Sequence, residues 1–171
     1  MPPPHNNIGV KREVAMSFLQ RGVIALSAVA LLLSYGLTRA MELDPAVLSY
    51  KLPDQIKWRT PLGIAPGIET SVLVGDPPQP GLYVVMVKWL AGNHFSHPHF
   101  HAHDRYITVL RGTWWVGTGK KFDPDGTVPM PTGAFVTHYG GQVHFDGAKD
   151  EDALLLIVGE GPDTPTPAEE K

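Results

Sequence analysis

The chain has 171 residues, with 17 acidic side chains against 14 basic ones and a formal charge of −3, so it offers no basic face for a nucleic acid. It has no cysteine, which excludes disulfides, thiolate metal sites and cysteine nucleophiles and leaves imidazole and oxygen as the only metal ligands. Eighteen glycines and 17 prolines punctuate short apolar runs, the pattern of a single all-β domain built from strands and turns.

Residues 1–40 have the layout of a secretory signal peptide. Lys11, Arg12 and Arg21 precede an apolar run from Val23 to Leu33, and Thr38-Arg39-Ala40 leads into a more polar stretch. Cleavage after Ala40 predicts a periplasmic or secreted protein. An uncleaved membrane anchor and a structural helix are the other readings, although the run is short for a span that needs about 20 residues. Met16, just ahead of the pattern, is a second candidate start.

Residues 41–68 carry four prolines and short apolar pieces, which predicts an arm with one edge strand near Ile56 to Arg59. The β domain is expected over 69–161. "TSVLVGD" and "GLYVVMVKWLAG" read as consecutive strands around the turn "DPPQP", where proline fixes φ and removes a donor. "RYITVLRGTWWVGTGKKF" reads as two strands broken near Gly112, "AFVTHYGGQVHF" as a hairpin about Gly140-Gly141, and "DALLLIVGEG" as a buried strand. Trp114 and Trp115 point to opposite faces of a regular strand, one inward and one outward. Asp123 and Asp125 read as turn residues, since a calcium loop needs more ligands. The tail 162–171, "PDTPTPAEEK", has nothing apolar to bury and is expected to be disordered.

Half of the chain's eight histidines stand at alternate positions in "SHPHFHAHDRY": His97, His99, His101 and His103. On a strand, residues two apart share a face at roughly 6.5–7 Å, so an H-x-H pair can bring two imidazoles to one ion at about 2.0–2.2 Å from each nitrogen. Spacing alone does not choose between His138 and His144 as a third ligand.

The motifs resemble those of the cupin family. The family's first motif runs glycine, five residues, H-x-H, three or four residues, glutamate, six residues, glycine. This chain has Gly92, six residues, His99-Phe100-His101, three residues, Arg105, six residues, Gly112. The second motif runs glycine, five residues, P-x-G, two residues, histidine, three residues, asparagine; here it is Gly133, Tyr139-Gly140-Gly141, His144 and Ala148, without the proline and the asparagine. The resemblance covers Gly81 to Gly161. It implies a double-stranded β-helix, a jelly-roll barrel, with a divalent metal (iron, zinc, manganese, nickel or copper) held by His99, His101 and His144. It also implies dimers as a common state. His138 takes the place of an apolar residue of the motif and is a candidate fourth ligand, accessory group or general base; His94, His97 and His103 are expected at the rim.

Arg105 stands where the family has its acidic ligand, and a guanidinium only donates. It has three readings: an anchor for a substrate anion beside the metal, a surface or core-rim residue paired with Asp104 or another acid, or an anion trap in a barrel that has lost its metal. The expected function is that of an exported metal-binding cupin, an oxygenase or related metalloenzyme acting on a small carboxylate or phenolic substrate, with Arg105 and His138 as catalytic candidates. The rival is a non-catalytic barrel that binds or senses a small molecule or metal.

Overall fold

The structure, a computed structural model, describes residues 42–61 and 65–171, so the leader-like segment 1–40 lies outside the described residues. The chain divides into two units, Met1–Tyr50 and Lys51–Lys171. In the first, residues 42–50 are exposed and hold one turn, in which the Ala46 amide donates to Asp44 Oδ1 at 2.9 Å. Among the described residues, no helix is long and apolar enough to cross a membrane.

The second unit is built from two antiparallel sheets. The first has the strand order β1-β2-β10-β5-β8, formed by β1 (Ile68–Val74), β2 (Gly81–Trp89), β10 (Ala153–Gly161), β5 (Arg105–Arg111) and β8 (Phe135–His138). The second runs β11-β4-β9-β6-β7, from β11 (Thr166–Pro167), β4 (His99–Phe100), β9 (His144–Ala148), β6 (Thr113–Thr118) and β7 (Val128–Pro131), with β3 (His94–Phe95) also paired to β9. The alternation of each strand explains the layering. Tyr83, Val87 and Trp89 on β2, Ile107 and Val109 on β5, and Ala153, Leu155 and Ile157 on β10 turn inward, where they meet Trp114, Val116 and Ala148 of the second sheet. Burying a side chain such as Ile107 or Leu155 completely contributes about 1.5–3 kcal/mol. Trp114 is buried and Trp115 faces outward, its ring 4.0 Å from Lys149 Nζ.

Gly112 carries the chain from β5 in one sheet to β6 in the other. Its φ is +73°, and a Cβ there would lie 2.0 Å from the Asp152 carbonyl oxygen, so no larger residue fits the corner. Asp123 sits in a short 3-10 turn and accepts from the Gly126 amide at 3.2 Å, in keeping with a turn residue.

Three expectations are corrected. "AFVTHYGGQVHF" is not a hairpin, because β8 pairs with β5 while β9 pairs with β3, β4 and β6, so the Gly140-Gly141 turn crosses between sheets. The turn's amides bond to the preceding histidine loop instead: Gly140 to Asp104 Oδ1 and Gly141 to the His101 carbonyl, both at 2.8 Å. The strand expected near Ile56 to Arg59 is reduced to one bridge, in which Arg59 and Thr70 exchange bonds of 2.9 and 2.8 Å.

The third correction concerns the tail, which is ordered. Its β11 pairs with β4, the Asp163 amide donates to Pro77, Ala168 to Pro98 and Glu170 to Lys120. A polar, proline-rich segment needs no apolar face when it satisfies the open backbone groups of an edge strand.

Candidate metal centre

The site is set by one register. His99 on β4 is the ladder partner of His144 on β9, so two imidazoles separated by 44 residues of chain stand side by side with ring centres 4.6 Å apart. His101 follows two residues after His99 and returns to the same face, 5.1 Å from His99 and 5.6 Å from His144. One nitrogen from each of the three lies within 4.8 Å of the others, an arrangement that could hold a metal ion.

Hydrogen bonds at the far nitrogens assign the tautomers. Nδ1 of His99 donates to the His97 carbonyl at 2.8 Å, Nδ1 of His144 to the Gln142 carbonyl at 3.1 Å, and Nδ1 of His101 to Asp163 Oδ1 at 2.5 Å. In the neutral ring, a proton on Nδ1 leaves Nε2 as an acceptor. Burial lowers the pKa of His101 and takes that of His144 down to about 4, against the opposing pull of Asp146 on the latter. Neutral imidazoles with inward lone pairs are the form a divalent ion requires, so the donor set fits the metal that the motifs imply.

Arg105 points inward from the first residue of β5. Its Nη1 donates to His101 Nε2, and its buried Nε has no partner among the described residues. Asp104 is not its partner, being engaged by the Gly140 amide. His138, opposite Arg105 in the β5–β8 ladder, is buried with its ring centre 3.8 Å from that of His144 and 5.4 Å from Trp114. It is not one of the three clustered histidines, and burial and the neighbouring His144 hold its pKa far below the usual range. His97 lies at the surface, stacked on Phe122 and bonded to Glu169, and His103 is exposed; His94 sits half-buried on β3.

Two carboxylates complete the centre. Asp146, two residues after His144, is buried and accepts from Trp89 Nε1 at 3.1 Å, Trp114 Nε1 at 2.8 Å and the Ser96 hydroxyl at 3.0 Å. Burial opposes its charge, but the surrounding imidazoles and the Trp114 donor hold its pKa below the usual carboxylate range. Asp163, from the tail, accepts from both His101 and the Tyr83 hydroxyl. Burial pushes the Tyr83 pKa well up and so keeps the phenol a donor. Asp146 shares the strand parity of His144 and was open to discovery in the sequence; nothing in the tail marks Asp163.

A cavity of about 210 Å³ adjoins the cluster, with His99, His101, Arg105 and Asp163 among its polar lining and Val85, Trp89, Leu155 and Ile157 among its apolar wall. No protein-family model matches the chain, and no curated relative matches it in sequence. Solved structures do match in fold. A cupin-2 domain protein, Rru_A2000 from Rhodospirillum rubrum, superposes with a TM-score of 0.52 at 16% identity over 70% of this chain and 78% of that one. The fold is a cupin barrel. Other structures similar in fold include the polyketide cyclase RemF from Streptomyces resistomycificus (TM-score 0.61, 16% identity, 72% and 87% of the two chains) and KdgF from Halomonas sp. (TM-score 0.51, 22% identity, 66% and 94%).

Proposed function

We propose that this cupin is a divalent-metal enzyme acting on a small anionic substrate, a carboxylate or a phenolate, with Arg105 as the anchor for its charge. One observation carries the reading: beside a small, mostly apolar cavity lined by His99 and His101, a cluster of three histidines stands next to a guanidinium whose Nε is buried and unpartnered among the described residues. His99, His101 and His144 would hold the ion. A bound divalent metal supplies a Lewis acid there, or a redox centre where iron, copper or manganese is the ion, with zinc and nickel the other imidazole-compatible choices.

The chain's own residues do the rest. The Arg105 guanidinium presents paired donors, so a carboxylate bound to it also screens it from a second cation in the site. The wall of Val85, Trp89, Leu155 and Ile157 takes the apolar body of the substrate and excludes water. At about 210 Å³ the cavity is smaller than the roughly 300–1,000 Å³ of pockets for drug-sized ligands, so the substrate is small. His138 is not among the cavity-lining residues, and its ring packs against that of His144, the centres 3.8 Å apart. A polyketide cyclase among the fold neighbours accords with an enzyme, and oxygenation is one reaction class open to the centre.

The test is elemental analysis of the natively expressed protein, followed by oxygen uptake and product formation with a panel of small carboxylates and phenols. His99→Ala and His144→Ala are each expected to lose the metal; unchanged metal content ends the assignment. The contact of Arg105 Nη1 with His101 Nε2 favours a second reading, a non-catalytic binding or sensing barrel in which Arg105 takes the lone pair a metal needs and captures an anion alone. Metal-free protein that binds a carboxylate tightly without turnover selects it.

Export to the periplasm or medium belongs to the proposal and rests on the leader-like residues 1–40. Self-association as a dimer rests on the family resemblance and is supported by exposed Leu82, Tyr106, Leu110 and Phe135 on the strands of the first sheet.

A further inference from the structure

Asp163 lies two residues past the last long strand, in a segment whose composition predicts no fixed structure. It is nonetheless anchored three ways: its amide donates to the Pro77 carbonyl at 2.7 Å, Oδ2 accepts from Tyr83, and Oδ1 accepts from His101 Nδ1. Its side chain is 10% exposed and that of His101 7%, so their bond is shielded from water. The following residues are stitched along β4 and its neighbours by the β11 pairing, by Ala168 to Pro98 and by Glu170 to Lys120.

The three clustered histidines are therefore not equivalent. His99 and His144 give their Nδ1 protons to neutral backbone carbonyls two residues away, whereas His101 gives its proton to a carboxylate 62 residues distant in the chain. A charged acceptor on the far nitrogen fixes the tautomer, orients the ring and raises the basicity of the nitrogen that faces the ligand. We infer that Asp163 is a positioning residue for His101 and that, through it, the C-terminal segment sets the affinity of the three-histidine centre for a divalent metal. This rests on the metal reading above.

The probe is Co²⁺ titrated into the full chain, followed by its visible absorption and by competition with a chelator. Asp163→Asn is expected to weaken Co²⁺ binding by about 10–100-fold, the range for loss of a partner behind a metal-bound histidine. Tyr83→Phe removes the other donor to the same carboxylate but leaves the His101 bond, and is expected to weaken binding less. An Asp163→Asn affinity within about twofold of wild type overturns the inference, and so does an equal loss in both variants, since affinity would then follow the tether and not the bond at Nδ1. Should Asp163→Asn not fold, long-range nitrogen–proton NMR of metal-free wild type decides: the Nδ1–H tautomer of His101 with a strongly downfield proton is expected, and the Nε2–H tautomer overturns the assignment. Wild-type protein that gives no Co²⁺ absorption overturns the metal reading itself, and this inference with it.

Discussion

Asp146→Ala removes the one acceptor shared by three donors from different parts of the barrel: Trp89 on β2, Trp114 on β6 and Ser96 in the loop between β3 and β4. Ser96 keeps an alternative, because its hydroxyl also lies 3.2 Å from the residue-146 carbonyl oxygen. The indoles have none, and both tryptophans are almost fully buried. Each buried donor left without a partner costs about 1–3 kcal/mol, so the two indoles together cost about 2–6 kcal/mol. That is a large share of the roughly 5–15 kcal/mol that holds a domain of this size together. Asp146→Asn should cost far less, since its carbonyl oxygen can take both indole protons while its amide faces the Ser96 hydroxyl as a donor. Urea unfolding of the metal-free protein followed by tryptophan fluorescence measures the difference. With a slope of about 1–3 kcal/mol per molar, a loss near 4 kcal/mol lowers the midpoint by more than about 1 M. An Asp146→Ala midpoint within a few tenths of a molar of wild type, or an Asp146→Asn midpoint as low as that of Asp146→Ala, refutes the reasoning.

Arg105→Ala should weaken binding of a small carboxylate by about 10–100-fold, the loss of one charge-assisted contact, with Arg105→Lys recovering only part because its point charge cannot reproduce a paired fork; equal affinity in all three proteins, by calorimetry, removes the anchor. The metal-free protein should lose stability on acidification. His144 has an ordinary pKa near 6.5 when unfolded and about 4 when folded, buried among His99, His101, His138, Asp146 and Arg105. Between those values the unfolded chain binds a proton that the folded chain refuses, so stability falls with pH by up to about 3 kcal/mol from this group. A urea midpoint of metal-free wild type that stays flat from pH 7 to pH 4.5 contradicts it. Protein recovered from the periplasm or medium should begin after Ala40; an intact Met1 or Met16 terminus by mass spectrometry would count against cleavage, and absence of the protein from those fractions would count against export.

The sheets were legible where a strand has one buried face. β2 and β10 are written as near-continuous runs of strand-forming apolar residues, "LYVVMV" and "ALLLIV", bounded by turn residues, and the period of two along a strand then turns alternate residues inward. His99 and His101 were legible for the same reason. His144 needed the family register, because the feature that selects it over His138 is its cross-strand pairing with His99, and pairing between distant segments leaves no local pattern. The same gap explains the mistaken hairpin: a Gly-Gly pair marks a reversal of the chain but not the sheet in which the next strand lands. Arg105 four residues after His101 has the right parity for an inward side chain, yet the loop between them hid its direction until its contact with His101 was seen. Asp163 was invisible because its order comes from partners on β2, the histidine loop and Pro77, none of them near it in the chain.

The pairing of His99 with His144 also has a kinetic consequence. The centre exists only when β4 and β9 are aligned residue for residue, and a slip by one position would turn one imidazole of the pair to the opposite face. Contacts between segments so far apart in the chain form late, after most of the loop-closure entropy has been spent. An ion bound there therefore cannot guide early folding. Held there, it would act as a latch on the finished barrel, slowing escape from the native state with little effect on the rate of refolding.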